Sequence, residues 1–172
     1  MKKTMHILAF TLIAVLAVSC SYSEKPANTE TSALTVPDQQ QEFIKPVEGF
    51  ITQAFTDGHH AVDIANEDEN GVGISSPILA VKDGTVTEVV TGVYDGGYGN
   101  NFTIDHGNGV QTFYAHCAEV YVAVGDTVSQ GQVIATTGDT GRVFGATGIH
   151  LHFEMMVNGD KVNPFDYFGG AL

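Results

Sequence analysis

The sequence has 172 residues, 43% of them hydrophobic and 16% charged, which is enough for one domain with a real core but not comfortably for two. Twenty acidic residues oppose seven basic ones, and the formal net charge of −13 argues against nucleic acid and anionic lipid headgroups as partners. Twenty glycines, no tryptophan and a β-branched texture favour β-structure.

The first 20 residues are predicted to be a secretory signal and not part of the fold. Lys2 and Lys3 precede an apolar run from Ile7 to Val18 that is too short for a settled membrane span. The small residues before Cys20 resemble a bacterial lipobox, in which the cysteine carries lipid and begins the mature protein. Lipidation of Cys20 is preferred here over an ordinary cleavage site nearby, and it would tether the protein to a membrane without crossing it.

A polar segment separates the signal from the domain. Residues 21–43 are rich in Ser, Thr, Gln and Pro, so they are predicted to be a disordered tether, and residues 44–172 to be the folded domain. If Cys20 carries lipid, Cys117 has no internal disulfide partner. These features predict an exported, monomeric protein of the cell envelope, with a lipid anchor as its only contact with a membrane.

Short runs of alternating apolar and polar residues, separated by Gly, Asn and Asp, predict an all-β domain. In chain order, these runs lie at residues 50–55, 84–92, 100–116, 131–138 and 150–162. The third is predicted to be a hairpin that turns at HGNG, and the last to turn at Asn158-Gly159. No run of helical period reaches three turns.

The first histidine cluster is the stretch GHHAVDIA, residues 58–65. In an extended segment His59, Ala61 and Asp63 would share one face, and the small Ala61 would leave room for a ligand between the other two. His60 falls on the opposite face, where it is predicted to face solvent or to support the site from behind. A histidine and a carboxylate at this spacing indicate a metal site only weakly on their own.

The second cluster is the stretch GIHLHFE near the C-terminus. Strand alternation puts His150, His152 and Glu154 on one face, while Leu151 and Phe153 point to the other and anchor the strand in the core. Two histidine nitrogens and one carboxylate oxygen, with an open fourth position, are the ligands of a catalytic zinc site. The two clusters together therefore predict zinc far more strongly than either alone.

Two further histidines lie in the predicted hairpin. His116 ends its second strand, in the stretch FYAHC, and is uninformative by itself. His106, in IDHGNG, is predicted to lie at the turn.

Three of these stretches, in this order, resemble motifs of the lysostaphin-type zinc endopeptidases, also called the LytM-domain family. HHAVDIA is similar to the family's His-x-Gly-x-Asp motif, YAHC to its Tyr-Ala-His-Leu motif, and HLHFE to its His-x-His-Phe-Glu motif. The stretches KDGTV, GGYGN, IDHGNG, VGDTVSQGQVIATTGDTG and NPFDY fall in the family's order as well. The resemblance extends over residues 46–168, nearly the whole predicted domain.

The resemblance implies His59, Asp63 and His152 as the zinc ligands. It implies that His116 and His150 stay off the metal and assist the chemistry. The family fold it implies is a small antiparallel β-domain, built from duplicated half-motifs like those of biotinyl and lipoyl domains, with the active-site groove between loops.

The activity implied is hydrolysis of peptide bonds in the cross-links or stem peptides of bacterial peptidoglycan, which is thus the expected partner. His116 is predicted to be the base and His150 to stabilise the oxyanion, although the sequence leaves these two roles interchangeable. Glu154 either holds a ring N–H of a ligand histidine or is an exposed strand carboxylate.

Three positions depart from the family pattern without removing a ligand. Ala61 replaces Gly, Ile149 stands where Pro, Ser or Thr is common, and Cys117 replaces Leu and is predicted to be a small buried apolar group. Because all ligands are kept, an active enzyme is favoured over a non-catalytic wall-binding or amidase-activating relative. A biotinyl or lipoyl carrier is disfavoured, since no lysine occupies a suitable hairpin tip.

Overall fold

The computed structural model describes residues 42–144, 148–169 and 172. The predicted signal with Cys20, and the tether up to residue 41, lie outside the described residues. Within the described part of the chain, no helix is long and apolar enough to cross a membrane.

Eleven short strands form the described part of the chain, together with two single-turn 3-10 helices at Asp95–Gly97 and Pro164–Asp166. Every strand pairs antiparallel with its neighbours, so the predicted all-β antiparallel domain is confirmed. The strands are β1 Phe50–Gln53, β2 Val62–Ala65, β3 Pro77–Leu79, β4 Gly84–Val90, β5 Asn101–Asp105, β6 Val110–Ala115, β7 Cys117–Val120, β8 Thr127–Val128, β9 Val133–Thr137, β10 Leu151–Val157 and β11 Asp160–Val162.

The strands form two sheets. The larger has the order β1-β2-β10-β6-β5-β4-β8, with β11 also pairing to β10, and the smaller has the order β3-β9-β7. Strand β10 is central, because β2 and β11 share one of its edges and β6 occupies the other. The strand that carries the second histidine cluster therefore touches three other strands.

Both predicted hairpins are present with their predicted turns. Strands β5 and β6 are joined by residues 106–109, and β10 and β11 by Asn158 and Gly159. These two residues have φ of 54° and 90°, as a two-residue turn that follows the twist of its strands requires.

Strand β10 is held in place by its apolar face. Leu151, Phe153 and Met155 have no exposed surface and belong to the main core cluster, as alternation predicts. The ring of Phe153 meets the ring of Tyr114 on the neighbouring strand with 5.3 Å between centroids. Burial of side chains of this size contributes roughly 1.5–3 kcal/mol each, so the position of β10 is well fixed.

Strands β3, β7 and β8 lie outside the runs predicted from the sequence, whereas β2 lies in the stretch 58–65 that carries the first histidine cluster. The three strands outside the predicted runs have two to four residues each, which is too short for an alternating pattern to stand out. At the N-terminal end, Phe43 already packs on Phe168 with 5.5 Å between ring centroids, so ordered contacts begin just before residue 44.

Candidate active site

The pairing of β10 brings the separated motifs together. His152 lies opposite Asp63 of β2 on one side and opposite Ala115 of β6 on the other. Directly opposed residues on antiparallel strands have their side chains on the same face. Asp63 and His152 therefore meet although 89 positions separate them, and His116 follows directly after Ala115.

His59 reaches the same place from a tight turn, not from the extended segment predicted for residues 58–65. Thr56 and His59 exchange both backbone hydrogen bonds, with N···O distances of 2.9 and 3.0 Å, and β2 begins only at Val62. Ala61, with no exposed surface, lies in the bend between them. The Asp57-Gly58 turn reverses the chain, and it still places the His59 ring against Asp63.

Three side chains from two separate motifs form a potential metal centre. His59 Nε2 is 3.3 Å from Asp63 Oδ2, and His152 Nδ1 is 2.9 Å from Asp63 Oδ1. One ligand atom from each of the three residues lies within 4.8 Å of the others. Ligand atoms around a tetrahedral zinc ion are roughly 3.3–3.5 Å apart, so this set fits such an ion.

The contacts within this cluster lower the pKa of Asp63 and raise the pKa of His152. Burial alone would raise the pKa of Asp63, but the hydrogen bond from His152 and the positive potential of the nearby histidines lower it. On His152 burial has the opposite effect and lowers the pKa, yet the hydrogen bonds to Asp63 and Glu154 prevail and raise it. Without a metal ion the carboxylate therefore keeps its charge and His152 attracts a proton, which a metal would have to displace.

Glu154 contacts the far side of the His152 ring. Its Oε1 is 3.1 Å from His152 Nε2 and accepts a hydrogen bond from the Tyr98 hydroxyl at 3.3 Å, while Oε2 is 2.6 Å from Lys161 Nζ. A carboxylate in this position holds the proton on Nε2 and leaves the Nδ1 lone pair for a metal. Strand alternation alone allows Glu154 either this role or an exposed position, and its 4% exposed surface excludes the exposed position.

His116 is oriented by an unusual backbone conformation and by two hydrogen bonds. It lies between β6 and β7 with φ of 61°, in the left-handed region that non-glycine residues rarely adopt. Its backbone N–H donates to Tyr98 O at 2.9 Å, and its ring Nδ1 is 2.9 Å from Thr140 O. Since a carbonyl only accepts, Nδ1 carries the proton and Nε2 is the free lone pair.

Burial lowers the pKa of His116 to about 4, and the hydrogen bond to Thr140 offsets only part of this effect. The nearby His150 and His152 disfavour a further positive charge there as well. At neutral pH His116 is therefore an uncharged imidazole, as a general base must be.

His150 lies next to His116 with the same internal arrangement. The two ring centroids are 4.8 Å apart, and the ring Nδ1 of His150 is 2.9 Å from Gly148 O, which leaves its Nε2 free. Its backbone N–H donates to Gly138 O at 3.1 Å, which fixes the residue at the edge of β10. The ring centroids of His116 and His152 are 5.6 Å apart. His116 and His150, here called the helper histidines, therefore adjoin the potential metal centre.

A cavity of about 300 Å³ opens above these groups. Every predicted ligand and helper histidine lines it, and Glu154 does not; the lining set is His59, Asp63, His116, His150 and His152. Loop residues complete its wall, among them Gln53, Tyr98, Arg142 and Phe144. The loop at 91–100 contributes Gly96, Gly97 and Tyr98 to the wall, whereas no residue of the loop at 66–73 lines this cavity. The segment before β10, which places Arg142 and Phe144 in the cavity wall and Thr140 O against His116, is missing from the predicted site.

The remaining histidines of the described chain and Cys117 do not line this cavity. His60 is exposed and stacks on Phe55 at 5.5 Å between ring centroids. His106 follows β5, and its ring nitrogens lie 2.8 Å from Asp83 O and 2.7 Å from Thr112 Oγ1. Cys117 is buried in the core, as predicted, and burial raises the pKa of its thiol to about 12.

Comparison with known proteins identifies relatives with this arrangement of strands. The family model described as Peptidase family M23 matches residues 57–164, a span that contains all three histidine motifs. The catalytic domain of the antimicrobial peptidase lysostaphin from Staphylococcus simulans is 28% identical, with a TM-score of 0.55 over 70% of this chain and 90% of that one. The family resemblance predicted from the motifs is thereby confirmed.

Two proteins of Vibrio cholerae add to this. A zinc containing peptidase of known structure is 30% identical with a TM-score of 0.60, over 72% of this chain and 39% of that one. The peptidoglycan DD-endopeptidase ShyA is 38% identical over 105 residues, which are 61% of this chain. The matched part spans only 19% to 22% of the length of curated relatives such as ShyA.

Proposed function

The chain belongs to peptidase family M23, and we propose that it is a zinc metalloendopeptidase that hydrolyses peptide bonds in the cross-links or stem peptides of bacterial peptidoglycan. The observation that carries this proposal is the convergence of His59, Asp63 and His152 within 4.8 Å at the floor of an open cavity. A zinc containing peptidase and a peptidoglycan endopeptidase among its relatives support the metal and the substrate.

The donor set suits zinc rather than a harder cation. Two imidazole nitrogens and one carboxylate oxygen are typical of catalytic zinc, whereas Ca²⁺ and Mg²⁺ prefer oxygen ligands alone. Held by His59 Nε2, Asp63 and His152 Nδ1, zinc would act as a Lewis acid on the scissile carbonyl and lower the pKa of water. Glu154 would keep the His152 ring in the tautomer that this binding needs.

The two helper histidines supply proton transfer and charge stabilisation. His116, uncharged at neutral pH with Nε2 free, would take the proton from the attacking water. The proton held by His116 would then go to the leaving amine, while His150, whose Nε2 is also free of backbone partners, would direct that nitrogen at the developing oxyanion and stabilise it. The hydrogen bond to Thr140 keeps the His116 ring aimed at the reaction.

A variant pair separates this function from the non-catalytic alternative. The full-length chain is expected to hold one equivalent of zinc and to clear peptidoglycan in a zymogram, and His152→Ala to lose both. His60→Ala, which changes an exposed histidine outside the cavity, serves as the matched control. A zinc-bound wild-type protein that leaves peptidoglycan intact would be a binding or activating protein instead.

The cleaved bond is identified by digesting purified sacculi and sequencing the new termini by mass spectrometry. New amino and carboxyl termini within the peptides support an endopeptidase, and His152→Ala shows the background. New reducing sugar ends without new peptide termini would contradict the proposal.

We further propose that the protein works outside the cytoplasm, anchored by lipid at Cys20. Two features of the sequence support this proposal. Lys2 and Lys3 precede an apolar run at residues 7–18, and small residues stand directly before Cys20. Metabolic labelling with a fatty-acid analogue is expected to mark the wild-type chain and not Cys20→Ala. Equal labelling of both would contradict anchoring at this residue.

A further inference from the structure

Arg142 is the only arginine in the sequence, and its side chain lines the same cavity as the histidine cluster. Its guanidinium lies 4.8 Å from the ring centroid of Phe144, which lines the cavity with it. The four ion pairs between described side chains do not include Arg142. The described part of the chain thus provides this cation with an aromatic support but with no carboxylate.

The backbone of Arg142 is fixed by close packing of glycines. Its N–H donates to Gly97 O at 2.7 Å. A Cβ on Gly141 would lie 2.3 Å from that same oxygen, and a Cβ on Gly99 would lie 2.4 Å from the carbonyl carbon of Thr140, so only glycine permits this approach. Thr140, two residues before Arg142, also holds His116 through its carbonyl. The arginine is therefore placed at a set position relative to the helper histidine.

The other described cations are directed elsewhere. Lys161 pairs with Glu154, Lys45 donates to Gly49 O, and Lys82 lies over the ring of Phe43. Asp63, the carboxylate that lines the cavity, is already engaged by two histidines. Among the described residues, Arg142 is consequently the side-chain cation at the site that has no anionic partner, in a protein with a formal net charge of −13.

We propose that Arg142 binds a free carboxylate of the peptide substrate beside the scissile bond and so makes the enzyme prefer acidic over amidated cross-links. This inference rests on the proposed function of the site. An arginine fork matches a carboxylate with two parallel hydrogen bonds, which a lysine would not offer. A cavity of about 300 Å³ admits only a short stretch of peptide, so the bound carboxylate belongs to a residue next to the bond.

Phe144 contributes by limiting the motion of the guanidinium before substrate arrives. Stacking of a guanidinium on an aromatic face is favourable by about 0.5–1 kcal/mol at an exposed site. Acidic residues elsewhere on the surface repel a negatively charged peptide, so a local cation such as Arg142 favours one orientation of the bound peptide.

The test uses two synthetic cross-linked peptides that differ only at the carboxyl group beside the scissile amide, free in one and a carboxamide in the other. The zinc-loaded full-length wild type is expected to cleave the acid with kcat/KM roughly 10- to 100-fold above the amide. Arg142→Gln is expected to reduce this ratio to near one, because the loss in kcat/KM is larger on the acid than on the amide. Arg142→Lys should fall between them because it keeps the charge but loses the fork.

Lys82→Gln removes the same charge outside the cavity and should keep the wild-type ratio. A wild-type ratio near one, or equal losses on both peptides in Arg142→Gln, would overturn the proposal. Binding of both peptides, measured calorimetrically on the same proteins, separates this result from a failure of the proposed function. If wild type binds the acid more tightly through Arg142 yet cleaves neither peptide, Arg142 has its proposed role and the peptidase activity is refuted.

Discussion

Glu154→Gln should weaken zinc binding without removing a ligand. The substitution keeps an amide oxygen that can accept from His152 Nε2, but it removes the negative charge that now lies 3.1 Å from that nitrogen and 2.6 Å from Lys161 Nζ. Loss of a carboxylate behind a ligand histidine typically costs 10- to 100-fold in metal affinity. We therefore expect the zinc Kd to rise by that factor at pH 8.

The size of this effect should depend on pH in a defined direction. Glu154 and Asp63 raise the pKa of His152, so protons compete with zinc for this ring already above its ordinary value of 6.5. Glu154→Gln lowers the pKa of His152 again and relieves part of that competition. The ratio of mutant to wild-type Kd should accordingly be largest at pH 8 and shrink towards pH 6.

The assay is competition with a chromogenic chelator on the full-length proteins. Glu119→Gln is the matched control, because Glu119 is an exposed carboxylate on β7 that accepts from the Tyr121 hydroxyl at 2.9 Å and does not line the cavity. If Glu154→Gln and Glu119→Gln both bind zinc like wild type at pH 8, the supporting role of Glu154 is refuted.

Further expectations concern the helper histidine and the anchor of β10. His116→Asn, which tolerates the φ of 61° and keeps a donor for Thr140 O, should lower kcat 100-fold or more, roughly the contribution of a general base, while the protein still holds one zinc by elemental analysis. The second expectation concerns the free energy of unfolding of the zinc-free proteins, measured with urea. As the pH falls from 6.5 to 4, this free energy should decrease in wild type by up to about 3 kcal/mol more than in His116→Asn. The reason is that the unfolded histidine gains its proton at a higher pH than the buried one. A constant difference would contradict the buried, uncharged ring. Phe153→Ala should cost about 3–5 kcal/mol in the free energy of unfolding, since the ring has no exposed surface, and a loss under 1 kcal/mol would contradict its role as anchor.

Local rules predict a large part of strand β10. Period-two alternation correctly places Leu151 and Phe153 in the core and His152 and Glu154 on the other face, because the direction of a strand side chain depends only on its own parity. The Asn158-Gly159 turn is equally local, since it needs only two residues that accept positive φ. These features require no knowledge of the partner strands.

The partners themselves do not follow from local rules. Asp63 meets His152 because β2 pairs with one edge of β10, and nothing within β2 indicates that edge. The motif resemblance supplies this pairing, where spacing does not. Lys161 and Thr140 are absent from the predicted site because a single charged residue on a short strand, or a backbone carbonyl in a loop, produces no pattern in a sequence.

Strand alternation does not predict which face of the sheet the His116 side chain occupies. Tyr114 lies opposite Phe153 and points into the core, whereas Ala115 lies opposite His152 and shares its face. A regular continuation of β6 would send His116 to the core side with Tyr114. The φ of 61° at His116 breaks that phase, and the hydrogen bonds from its backbone N–H to Tyr98 O and from its ring to Thr140 O sustain the strained conformation. The ring thereby joins the face of His152 while Cys117 takes the buried position, so the strain is what converts a core residue into a site residue.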